Sequence, residues 1–139
     1  MRSIKKILGV AMLLCLTFGW QTAPARAADI EMEIFYLPHR PALNVVDKVE
    51  AIAAEFANVT IRKYNFDDPG SKGLLEKYGL TEHMPVAIFV NGKDRFTVNG
   101  HEVRLRNFPK GDSFVPTFAG EWDYPDLKAI LTSLSREQK

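Results

Sequence analysis

Apolar and polar positions alternate in two distinct periods along this chain, and the change of period marks the elements. Glu31 to Tyr36 alternates weakly before an apolar end of Ile34, Phe35 and Tyr36, which predicts a strand. Pro38 and Pro41 then bracket His39-Arg40, and Pro41 suits the first turn of a helix, where a missing N–H removes no hydrogen bond. From Ala42 the apolar residues fall at helical spacing: Val45, Val46, Val49, Ile52, Ala53 and Phe56. That stripe spans about four turns and predicts an amphipathic helix ending near Asn58. Val59 to Phe66 returns to a two-residue alternation rich in β-formers, so a second strand follows, closed by the turn cluster Asp67-Asp68-Pro69-Gly70.

Ser71 is placed to cap a short helix through Leu74, Leu75 and Tyr78, with Gly79 at its C-terminal end. Val86 to Val90 is an apolar run after Pro85 and reads as a strand, while the first two strands are expected to run parallel and, from their apolar runs, to be covered by helices on two faces. Asn91-Gly92 and Asn99-Gly100 are two hairpin turns. They divide Val86–Val90, Arg95–Val98 and Glu102–Phe108, predicting an antiparallel meander. Residues 110–120 lack a clear period, and Phe114, Val115 and Phe118 are expected to be its packing points. Asp123 with Asp126 three residues on forms a capping pattern ahead of the stripe Leu127, Ile130, Leu131 and Leu134, a final helix. The order βαβ, short helix, antiparallel strands, helix predicts an α/β fold with a central mixed sheet flanked by helices.

Charge and composition change the picture at the N-terminus. Arg2, Lys5 and Lys6 precede the uncharged run Ile7 to Phe18, and Ala25-Arg26-Ala27 supplies a small-x-small cleavage pattern. The expectation is a cleavable signal peptide over 1–27, a single domain over 28–139, and a periplasmic or secreted location. Cleavage would remove four of the 18 basic residues and none of the 17 acidic ones, moving the net charge from +1 to −3. A slightly acidic domain is a poor partner for nucleic acid, and the apolar run is too short to span a bilayer. The sole cysteine, Cys15, lies in the leader, so residues 28–139 can neither form nor exchange a disulfide.

Three stretches resemble the thioredoxin-like superfamily. Ile34-Phe35-Tyr36-Leu37-Pro38-His39-Arg40-Pro41-Ala42-Leu43 lies where thioredoxins and glutaredoxins carry strand, loop, Cys-x-x-Cys and helix. Asn65-Phe66-Asp67 with Tyr78-Gly79-Leu80 is similar to the second strand and following short helix. Met84-Pro85-Val86-Ala87-Ile88-Phe89-Val90-Asn91-Gly92-Lys93 resembles the family's cis-proline strand and turn. The resemblance covers most of residues 30 to 135 and implies a thioredoxin-like fold, with an inserted segment at about 99–118 before the last helix. It implies a cis peptide bond before Pro85.

The departures from that pattern bear on function. The dithiol positions hold Arg40, Pro41, Ala42 and Leu43, the family's buried acid becomes Ile34, and the glutathione-binding lysine becomes Leu37. Nucleophile, resolving thiol and proton carrier are absent together, so dithiol chemistry is excluded and no enzyme or cofactor is expected. What the resemblance leaves is a groove for an extended peptide or protein partner at Tyr36, Leu37, Pro38, His39, Arg40, Met84 and Pro85. The alternative is a copper or zinc site built on His39 and His83. Arg104 and Arg106, two apart on one strand face, suit either an anionic ligand or protection of a sheet edge. His101, after an Asn-Gly turn, is expected in solvent, and Trp122 and Tyr124 as packing residues.

Overall fold

The computed structural model describes residues 29–80 and 84–137; the expected leader, 1–27, and His83 lie outside them. Among the described residues eight strands and helices follow in order: β1 (Ile30–Tyr36), α1 (Arg40–Ala53), β2 (Val59–Asn65), α2 (Lys72–Tyr78), β3 (Val86–Val90), β4 (Arg95–Val98), β5 (His101–Arg104) and α3 (Tyr124–Glu137), with 3-10 turns at Pro69–Ser71, ahead of α2, and Pro116–Phe118, ahead of α3. The chain is mixed α/β. A three-stranded sheet has the order β2-β1-β3, parallel between β1 and β2 and antiparallel between β1 and β3.

Side-chain alternation sorts this sheet into two apolar layers. Ile30, Met32 and Ile34 of β1 and Val86, Ile88 and Val90 of β3 face α1 and α3. The stripe Ala42, Val45, Val46, Val49 and Ala53 buries the inner side of α1, while Ile52 and Phe56 pack at its margin. The intervening residues Phe35, Ala87 and Phe89 turn to the other face and pack with Phe66 and Leu75 beside α2. Both periods of the sequence are therefore reproduced as burial.

Local signals hold at most ends. Asp123 N–H donates to Asp126 Oδ2 (3.0 Å) and Asp126 N–H donates to Asp123 Oδ1 (2.8 Å), a reciprocal cap at the start of α3. Gly79 takes the left-handed conformation (φ +59°) that ends α2. Ser71 makes no side-chain cap; it is buried, and Asp68 Oδ1 caps the preceding turn by accepting from Gly70 N–H (2.9 Å).

The meander forms differently from the expectation. After the Asn91-Gly92 turn, β3 pairs back with Lys93 alone. β4 then leaves β3 and pairs with β5 as a separate two-stranded sheet. The segment after β5 returns to the free edge of β3: Ile88 N–H donates to Leu105 C=O and Asn107 N–H to Val86 C=O, both at 2.8 Å. Burial explains the choice, since Leu105 and Val103 are fully buried whereas Arg95 and Thr97 are exposed. Within residues 110–120, Phe118 packs on the core as expected, but Phe114 is 99% exposed and Val115 is 49% exposed. Asp112 anchors this loop instead, accepting from Tyr124 Oη (2.6 Å) and Lys48 Nζ (3.1 Å).

Candidate functional site

The end of β1 and the start of α1 meet the first residues of β3. Leu37 N–H donates to Pro85 C=O (3.0 Å), and Phe66 N–H donates to Tyr36 C=O (3.0 Å). His39 takes an extended conformation at the N-cap of α1 without a side-chain cap, and its C=O accepts from Leu43 N–H (3.0 Å). Pro38, His39, Arg40 and Pro41 are exposed, while Ala42 is fully buried against the core. No acidic residue lies in the first turn of α1.

The residues expected to form one groove divide between two faces. Tyr36 packs with the α1–α3 layer, whereas Leu37 and Met84 pack with the Phe35 layer. Successive residues at a strand end point to opposite sides, so the aromatic ring and the two aliphatic side chains belong to different walls. Pro85 is buried. Among the described residues no peptide bond is cis, so the expected cis bond before Pro85 is corrected to trans. The trans form is the ground state of X–Pro bonds by roughly 0.5–1 kcal/mol. The Leu37–Pro85 hydrogen bond and the Tyr36–Val86 pairing are satisfied with it.

His83, the second half of the suggested metal pair, lies outside the described residues. Among the described residues no three His, Cys, Asp or Glu side chains are grouped to hold a metal ion.

Arg104 and Arg106 are committed internally. Both guanidinium Nε atoms donate to Asp94 Oδ2, Arg104 at 3.3 Å and Arg106 in a closer contact. Arg106 is only 15% exposed; it also donates to Tyr78 C=O (3.4 Å) and lies 5.6 Å over the Phe89 ring. Burial alone would raise the Asp94 pKa, but hydrogen bonds and charge from Arg106 and then Arg104 outweigh it and hold the carboxyl below its ordinary value. The motif carried a usable signal. A two-residue turn at Asn99-Gly100 pairs Arg95 with Arg104, and the next step places Asp94 between Arg104 and Arg106.

On the same Phe89 face of the sheet, Tyr78 Oη donates to Glu33 Oε2 at 2.5 Å, and this bond, with partial burial, pushes the Tyr78 pKa up to about 12. Tyr78 stacks on Phe89 (4.1 Å between centroids) and meets Phe35 edge-on. His101, expected in solvent, is half exposed, with Nε2 3.4 Å from Asp126 Oδ1.

Sequence reasoning missed a groove of about 480 Å³ between β4 and α3, floored by Phe96, Val98, Ile130 and Leu134, with Lys93 at one end. Its walls come from elements about 30 residues apart, so no local pattern announces it. No protein family matches the chain, and no curated protein or solved structure is significantly similar to it.

Proposed function

We propose that this chain is an exported, redox-inactive domain of thioredoxin-like type that binds an extended peptide or protein segment where β1, α1 and the start of β3 converge. The observation that carries the reading is the Leu37–Pro85 hydrogen bond beside a cysteine-free helix start. It brings together the two loops that the resemblance assigns to substrate, with Arg40 and Leu43 where thiols would stand. The order β2-β1-β3, with β1 parallel to β2 and antiparallel to β3, supports the thioredoxin-like assignment. The trans Met84–Pro85 bond and the separation of Tyr36 from Leu37 and Met84 narrow the binding surface. The apolar contact falls to Leu37 and Met84, with Pro38, His39 and Arg40 at its open rim.

The test uses the purified protein and S-alkylated insulin B chain as an unfolded probe, followed by amide chemical shifts. Shifts at Leu37, His39 and Met84 that vanish in Met84→Lys are expected, together with no acceleration of insulin reduction by a small dithiol over the rate without the protein. Turnover of insulin disulfides, or shifts that ignore Met84→Lys, would overturn the reading.

A further inference from the structure

We propose that the groove between β4 and α3 is a second binding site, taking an extended peptide that adds as an antiparallel strand to β4 and sets an acidic side chain beside Lys93. The inference is independent of the β1–α1 junction.

Hydrogen-bond geometry comes first. Asn99 and Gly100 both have positive φ (+48° and +82°), the signature of a two-residue turn. In such a hairpin the residues flanking the turn, Val98 and His101, exchange hydrogen bonds, and so do Phe96 and Val103. Arg95 and Thr97 therefore direct their N–H and C=O groups away from β5. No other backbone group of the described residues pairs with them. Consecutive residues from Arg95 to Asn99 border the groove, which places this open edge along it. A strand edge offers alternating donors and acceptors at fixed spacing, and a second strand is the ligand that matches all of them.

The opposite wall sets the side-chain chemistry. Ala129, Ile130 and Leu134 of α3, with Phe96 and Val98, give an apolar floor that accepts every second side chain of an extended peptide. Charge is asymmetric. Lys93 has no carboxylate within ion-pair distance among the described residues. Arg95 pairs with Glu102 (2.7 Å), and Glu137, at the same end, accepts from Ser133 Oγ (3.3 Å). The unpaired ammonium at the start of β4 therefore complements an acid near the C-terminal end of an antiparallel strand. Antiparallel addition is the more stable mode and continues the β4–β5 pattern.

The probe is a short N-acetylated, C-amidated peptide of alternating Val and Thr with Asp next to its C-terminal end, titrated into the isotopically labelled protein. Saturable amide shifts at Arg95 and Thr97 are expected, with Kd of roughly 0.1 mM. A peptide N-methylated on its β4-facing amides should lose at least about tenfold in affinity, and the Asp→Asn peptide about two- to fivefold, as expected for an ion pair to the exposed Lys93. Lys93→Glu should remove the preference for Asp over Asn. Thr97→Pro removes an outward-facing donor without breaking a β4–β5 hydrogen bond and should weaken binding while the β4–β5 hairpin stays folded. Met84→Lys should leave binding unchanged, separating this site from the junction. No saturation by roughly 1 mM, equal binding of the N-methylated peptide, or shifts confined to the β1–α1 junction would each overturn the proposal; the edge would then be merely short and charge-guarded.

Discussion

Removing the Asp94 carboxylate tests a largely buried cluster of three charges, Asp94 with Arg104 and Arg106. In Asp94→Ala, Arg106 keeps a guanidinium that is 15% exposed, with Tyr78 C=O at 3.4 Å as its remaining hydrogen-bond acceptor among the described residues. A hydrogen bond to a charged group contributes about 1.5–3 kcal/mol, and breaking a fully buried pair costs about 3–5 kcal/mol. Arg104 is 39% exposed and Asp94 is 14% exposed, so solvent recovers part of the loss. An expected destabilisation of about 2–3 kcal/mol follows. With a urea slope of about 1.5 kcal/mol per M, the unfolding midpoint followed by circular dichroism should fall by roughly 1.3–2 M.

Two further arms make the reasoning specific. Asp94→Ala combined with Arg106→Met removes the two more buried charges of the cluster, leaves Arg104, which is 39% exposed, to solvent, and should lie within about 1 kcal/mol of the parent, because the apolar pair carries no desolvation penalty. The pH dependence has a definite sign. The folded pKa of Asp94 lies below its ordinary value of 3.8, so the unfolded chain binds more protons near that pH. The carboxylate's contribution is complete above the ordinary value and disappears as the pH falls through the folded one. The gap between parent and Asp94→Ala should therefore be constant at neutral pH and close in acid. A loss under about 0.5 kcal/mol at pH 7, or a double variant no better than Asp94→Ala, would refute the account.

Gly120→Ala should be among the most damaging single-methyl additions. Its Cβ would press on the backbone oxygens of Arg106 and Phe108, the latter at 2.7 Å, so a loss of about 2–3 kcal/mol in urea unfolding is expected. Phe114→Ser should change stability by less than about 0.5 kcal/mol, because the ring is already 99% exposed; a larger loss in thermal unfolding would contradict that placement. Tyrosine ionisation followed by ultraviolet absorbance should contain a component near pH 12 that Tyr78→Phe removes. Since the folded pKa is raised, the contribution of that phenol to stability is complete below pH 10 and lost as the pH rises through about 12.

At the candidate site, the sequence announced the junction and misjudged its geometry. Tyr36, Leu37 and Met84 are all apolar in a row of motifs, yet the pleat assigns Tyr36 to one layer and the other two to the opposite one. Arg104 and Arg106 looked available for an anion because their partner, Asp94, sits across a hairpin. The register set by Asn99-Gly100 brings the three together.

What the sequence determined by itself is whatever one backbone period or one turn can specify. The α1 stripe from Ala42 to Ala53, the alternation in β1, the Asn-Gly turns and the Asp123–Asp126 cap each depend on residues within a few positions of one another. The absence of cysteine beyond Cys15 is equally local information. Only the tertiary structure decided that the segment after β5, rather than β4, completes the edge of β3. It also decided that Phe114 stands in solvent, against expectation, and that Asn107 C=O accepts from the Nε1–H of the buried Trp122. The physical reason is competition. Several apolar segments could cover the same sheet edge or core position, and the one that buries most area while satisfying its backbone hydrogen bonds is selected by the whole packed arrangement.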